Sequence, residues 1–197
     1  TSSAASTANV ALLASASATS YSTVTEGETN VTISNNTLKG GYFSMAFYGS
    51  SANIGGYSDI TVTNNTITDA YYYGMYFYYG RNIHIEGNTI GNFTYAYNYS
   101  AYLYQIDGCV FTKNHSDSYY SVYASYLGTS ALASFDSEIS NNFFNNGYYG
   151  LRVYYGSDLG VYHNTCVGSY SGLYDYYNGS GTDIRNNIFQ GGTYALY

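Results

Sequence analysis

The sequence predicts an all-β chain wound into stacked parallel coils, and three observations predict it. A short unit recurs from one end of the chain to the other, apolar and polar residues alternate within it, and an asparagine returns at one fixed position. The clearest copy is Ile60-Thr61-Val62-Thr63-Asn64-Asn65-Thr66-Ile67. Aligned on its second asparagine, the copies place Asn36, Asn65, Asn88, Cys109, Asn142, Asn164 and Asn187 at equivalent positions. A repeat of this kind marks an architecture in which each unit buries its apolar face against its neighbours.

Taken in order, residues 1–23 are rich in Ser, Thr and Ala and hold no copy of the unit. They are expected to form an irregular N-terminal coil or cap, with a short helix over Val10–Ala18 as one form of that cap. Residues 24–197 are expected to form the solenoid. The aligned positions lie 29, 23, 21, 33, 22 and 23 residues apart, so the basic coil is about 22 residues, with insertions near 49–57 and 119–133. A second strand precedes the unit in Gly74-Met75-Tyr76-Phe77-Tyr78-Tyr79-Gly80 and in Gly150-Leu151-Arg152-Val153-Tyr154-Tyr155-Gly156. Alternation turns Met75, Phe77, Leu151 and Val153 inward. Gly, Asn and Asp then supply the corners, where positive φ or side-chain capping is needed.

Two or three short strands per turn, a period near 22 and an asparagine at one corner resemble the right-handed parallel β-helix of the pectate-lyase-like superfamily. The resemblance covers residues 24–197 and implies a single-stranded right-handed parallel β-helix with an asparagine ladder. Asn36, Asn65, Asn88, Asn142, Asn164 and Asn187 would form the ladder, with Cys109 as a gap. A buried amide is tolerated when its donors and acceptor all find partners, and identical neighbours one coil away provide them. Ile33, Val62, Ile85, Ile106, Ile139, Val161 and Ile184 would fill one interior column. Leu38, Ile67, Ile90, Phe111, Phe144, Cys166 and Phe189 would fill the next.

The outward positions before the ladder turn form a stripe whose middle holds His84 and Glu86, then Gln105 and Asp107, then Glu138. Glu86 and Asp107 would lie one coil apart, roughly 5 Å. With His84 they could supply an acid and a base for cutting an acidic polysaccharide, or hold Ca²⁺. Against a catalytic reading, the Asn-Thr-Asp, Asp-Asp and Gly-His-Gly signatures of polygalacturonases are missing. The chain has no proline for the Asp-Pro-His element of alginate epimerases, and Arg185 is the one arginine on the stripe. A solvated polar face accounts for the same residues.

The tyrosines form the other candidate surface. Tyr78, Tyr154 and Tyr176 share a phase, as do Tyr79, Tyr155 and Tyr177, so aromatic columns should run along the coils, with flat faces and polar tips suited to sugar rings. Sequons at Asn92, Asn98, Asn114 and Asn178 lie off the predicted ladder and are candidate glycan acceptors, which points to an extracellular or cell-surface protein.

With 5 basic against 12 acidic residues, the chain lacks the clustered cations that nucleic acid requires. No apolar run approaches the ~20 residues of a membrane span. Cys109 and Cys166 read as buried free thiols, set too far apart for a bridge.

The reading is therefore a non-catalytic extracellular β-helix, structural or carbohydrate-contacting, as a segment of a surface fibre or filament. End-to-end self-association is expected from a last strand around Ala195-Leu196-Tyr197 that carries no recognisable cap. The alternative is a polysaccharide lyase or glycoside hydrolase using Glu86, Asp107 and His84. No cofactor is expected except the Ca²⁺ of that alternative.

Overall fold

The computed structural model of the chain describes residues 6, 9–15, 17, 20–24, 26–128 and 136–197. Every regular element among them is a β-strand, and neighbouring strands pair in parallel. Each coil contributes one strand to each of three walls. The first, called here the polar wall, runs through Thr29–Ser34, Ser58–Thr63, Arg81–Glu86, Asp107–Thr112, Ser137–Ser140, Leu159–Tyr162 and Asp183–Arg185. A short wall follows across the ladder corner, beginning with Thr37–Lys39, Thr66–Thr68, Thr89–Gly91 and His115–Asp117. The third, the tyrosine wall, contains Phe43–Tyr48, Tyr73–Tyr78, Tyr99–Tyr104 and Tyr120–Ser125. In the later coils, Phe143–Tyr154 and Thr165–Tyr176 run from the short wall into the tyrosine wall, with register shifts near Gly147 marking the bend.

The ladder corner shows how the repeat folds locally. A residue at positive φ turns the chain, and the ladder asparagine follows it. Asn35, Asn64, Asn141 and Asn186 do this at φ between 54° and 58°, where a short side chain that bonds its own backbone is tolerated. From Asn65 to Asn187 each ladder asparagine then spends its whole amide. In Asn88, Nδ2 donates to Val62 O at 2.9 Å and to Asn114 Oδ1 at 2.9 Å, and Oδ1 accepts the N–H of Asn65 at 2.9 Å. The pattern repeats through Asn36, Asn65, Asn88, Asn114, Asn142, Asn164 and Asn187.

The structure thus corrects the alignment of the fourth copy. Asn114, and not Cys109, stands in the ladder, so the predicted gap is filled and the rungs lie 29, 23, 26, 28, 22 and 23 residues apart. The correction leaves the mean spacing unchanged but divides the long fourth interval between two coils, so individual coils run from 22 to 29 residues. Phe111 pairs with Ile85 and Ile139 in the first interior column, where Ile106 was expected. In the second column Ser116 takes the place expected for Phe111. It is buried, and its hydroxyl donates to Ser100 Oγ at 2.7 Å, so a polar core position is satisfied within the coil. Cys109 pairs with Ile83 inside the polar wall, and both cysteines are buried and free.

Two further expectations change. Val10–Ala14 is a strand that pairs with Phe43–Phe47 and extends the tyrosine wall, where an irregular coil or cap, with a short helix as one form of it, was expected; Ala16 and Ala18 lie outside the described residues. Its Leu12 and Ala14 pack on the core, which a β-bonded edge achieves without a separate cap. The insertion near 49–57 is present between Tyr48 and Ser58. The second begins after Ser125, because Tyr120–Ser125 is a wall strand, and its residues 129–135 lie outside the described residues.

Candidate functional site

Strand alternation sends every second residue of the tyrosine wall outward, and the register aligns these residues into columns. One column runs Tyr48, Tyr78, Tyr104, Ser125, Tyr154, Tyr176, so the predicted phase of Tyr78, Tyr154 and Tyr176 is found in the structure. Beside it runs Tyr76, Tyr102, Tyr123, Arg152, Tyr174. Three residues earlier, and so outside the alternation, Tyr73, Tyr99, Tyr120 and Tyr149 form a further column at the start of the strands, where Tyr73, Tyr99 and Tyr149 pack their rings against the second column. Rings stack along the columns with centroids 4.3 Å apart for Tyr78 and Tyr104 and 4.8 Å for Tyr102 and Tyr123. These distances follow the strand spacing of ~4.8 Å, which gives offset stacking at no extra cost in backbone geometry.

Arg152 stands in the middle of this field. Its guanidinium carbon lies 4.6 to 5.4 Å from the ring centres of Tyr123, Tyr149, Tyr154 and Tyr174. Burial works against its charge, yet the hydrogen bond to Tyr154 and the facing phenols raise its pKa overall. Its Nε is buried without a hydrogen-bond partner among the described residues. Burial is also the largest cause that raises the phenol pKa of Tyr73, Tyr76, Tyr78, Tyr99 and Tyr102.

At the adjoining corner, Tyr79, Tyr126, Tyr155 and Tyr177 have φ between 51° and 61°, an uncommon region for a bulky side chain. Tyr155 and Tyr177 stack there with rings 5.4 Å apart and 3° from parallel. The insertion loop beneath is pinned by Tyr57, which is fully buried and accepts the N–H of Tyr78 at 3.0 Å. Gly80 is required at this point, since a Cβ would lie 2.6 Å from the Tyr57 ring.

The polar wall does not assemble the predicted carboxylate cluster. Glu86 pairs with Thr112, one strand on, and Asp107 pairs with Arg81 at the start of its strand. Asp107 is 0% exposed and accepts from Arg81 Nε at 3.1 Å, while Arg81 Nη2 donates to Ile54 O of the insertion loop at 3.1 Å. Asp107 is therefore a buried ion-pair partner that ties the loop to the wall. It cannot share Ca²⁺ or a reacting sugar with Glu86. Gln105 leaves the stripe as well, at φ 49° beside the tyrosine wall, and Val110 separates His84 from Glu138.

His84 and Glu86 are neighbours, with Nε2 2.8 Å from Oε2, and Lys113 Nζ donates to Glu86 Oε1 at 2.7 Å. The Lys113 bond first, then His84, holds the Glu86 carboxyl below its usual range. Among the described residues no group of three or more His, Cys, Asp or Glu side chains could hold a metal ion.

The candidate acceptor sites separate by exposure. Asn92 is exposed, Asn178 is half-buried, and Asn98 is buried with its Oδ1 accepting the N–H of Tyr119 at 3.0 Å. Asn114 is 2% exposed and fully committed to the ladder, which removes it as an acceptor in the folded chain. Sequence reasoning passed over Arg152, whose phase with Tyr102, Tyr123 and Tyr174 was readable once the strand Gly150–Gly156 was aligned with its neighbours.

Repeated parallel coils, a continuous asparagine ladder and a filled apolar interior define a solenoid of the β-helix class. The sequence model of the family described as right handed beta helix region matches residues 24–189, and the chain belongs to that family. No curated protein and no solved structure matches it. Among the described residues no helix is long and apolar enough to cross a membrane.

Proposed function

We propose that the tyrosine wall is a platform for an extended polysaccharide, and that the protein is an extracellular, non-catalytic, carbohydrate-contacting β-helix. The observation that carries this reading is the set of three outward tyrosine columns around Arg152 on one continuous wall. Stacked aromatic faces with hydroxyl tips match the alternation of apolar ring faces and hydroxyl edges along a glycan, and a contiguous aromatic surface of this kind marks an interaction site. Electrophoresis through gels containing neutral or acidic polysaccharides tests it. The intact chain should be retarded, and a Tyr102→Ala/Tyr123→Ala variant with an unchanged circular dichroism spectrum should not. Equal mobility in every polysaccharide and in the blank gel refutes the reading.

End-to-end assembly is a second part of the proposal, favoured by the ladder edge at Asn36. Among the described residues Asn36 Oδ1 accepts no hydrogen bond although 35 residues precede it, so a second copy stacked on that coil would continue the rungs. Sedimentation over a range of concentrations should show growing species; a single monomer throughout rules this part out.

A further inference from the structure

We propose that the tyrosine array is also a path for one-electron oxidation, and that Tyr177 is a site at which this oxidation leaves the molecule as a dityrosine cross-link to a second copy. The path is continuous. From Tyr78 it passes to Tyr104 at 4.3 Å, Tyr102 at 6.4 Å, Tyr123 at 4.8 Å, Tyr154 at 5.8 Å, Tyr176 at 4.8 Å and Tyr177 at 4.2 Å. Electron exchange falls off exponentially with the gap between partners, so rings this close pass a vacancy on before a diffusing partner arrives. There is no tryptophan to trap it. Met45, Met75, Cys109 and Cys166 are all buried inside the coils, and burial keeps both thiols protonated and unreactive.

Exposure decides where the vacancy comes to rest. A tyrosine that loses an electron must also lose its phenolic proton, and a ring packed in the wall gives up a proton poorly. Tyr177 is 65% exposed at the corner of the solenoid, ahead of Tyr97 at 52%. A dityrosine bond joins the ring carbons beside each hydroxyl, edge to edge. Tyr155 lies face to face with Tyr177 on a strand held ~4.8 Å away, and Tyr176, its chain neighbour, meets it at 78° from parallel, so neither ring neighbour is aligned for that bond. The same exposed residue on a second copy is free to adopt the edge-to-edge approach and is the partner proposed.

The chemistry balances with hydrogen peroxide as oxidant and a haem peroxidase as its catalyst. Two tyrosines each lose one electron and one phenolic proton, the two radicals join through a carbon–carbon bond, and the displaced ring hydrogens return to the oxygens. Two electrons and two protons reduce one peroxide to two waters.

The test treats the full chain with peroxide and a haem peroxidase, then maps cross-linked peptides by mass spectrometry alongside dityrosine fluorescence. Peptides containing Tyr177 should dominate, and Tyr177→Phe should lose most of the covalent dimer. A Tyr155→Phe/Tyr176→Phe variant removes both ring neighbours of Tyr177 as radical carriers while keeping its packing and exposure. In that variant the yield at Tyr177 should fall by more than half and cross-links should move to Tyr97. Unchanged yield at Tyr177 would show that exposure alone selects it and would overturn the path. Cross-links that spare Tyr177 in the unaltered chain would overturn the site.

Discussion

Asn114 carries more of the structure than its setting in the sequence suggests. Its Oδ1 accepts the backbone N–H and the side-chain amide of Asn88, and its own Nδ2 donates to Ile85 O, Thr112 O and Asn142 Oδ1. Asn114→Ala leaves several of these buried groups unpaired at once, at roughly 1–3 kcal/mol each before relaxation. A loss of about 4 kcal/mol is therefore expected in denaturant unfolding. Cys109→Ala, at the position the repeat first indicated, removes one buried apolar atom and should cost only about 1 kcal/mol. The ladder was legible at six of its seven rungs because Asn follows a turn-forming Asn, Gly or His and stands two positions before an apolar residue there. At the fourth rung that signal failed for a physical reason: the interior position after Asn114 is Ser116, satisfied by Ser100, so the apolar pattern pointed to Ile106–Phe111 instead.

At the scale of elements, the column through Tyr78, Tyr154 and Tyr176 was readable because alternation holds over the ends of those strands, whereas Tyr73, Tyr99, Tyr120 and Tyr149 lie three residues before their neighbours and fall out of that alternation. Its relation to the polar wall was not, since one misplaced coil shifted Asp107 onto the wrong face. The Arg81–Asp107 pair now joins three elements: two neighbouring strands and the insertion loop at Ile54. Arg81→Leu would leave Asp107 buried and unpaired, an expected loss of about 3 kcal/mol, at the lower end for such pairs because the Arg81 side chain is 31% exposed. Arg81→Leu/Asp107→Leu should recover most of it in the same unfolding measurement. The wall itself makes a pH prediction. Its phenols have folded pKa values above the ordinary 10.0, chiefly from burial, so their contribution is complete below pH 10.0. It is lost as pH rises beyond that value, because the unfolded chain ionises first. Circular dichroism and phenolate absorbance followed together should show one cooperative alkaline transition. Phenolate appearing gradually while the fold persists would mean that the wall phenols are open to water.

For the whole molecule, a solenoid is close to one-dimensional, with each coil held by its neighbours and any surface feature repeated along the axis. Six successive strands of the tyrosine wall, from Phe43–Tyr48 to the end of Thr165–Tyr176, span five strand spacings, or roughly 24 Å. A polysaccharide lying along this axis would meet equivalent rings at each coil, so affinity should rise with oligosaccharide length and level off once the ligand reaches roughly that span. Titration calorimetry with a series of oligosaccharides of increasing length measures this directly. A plateau already reached by a disaccharide would instead place recognition in one coil, around Arg152. In that case Arg152→Gln alone should remove the binding, while Tyr78→Ala, three strands along the axis from Arg152, should leave it intact.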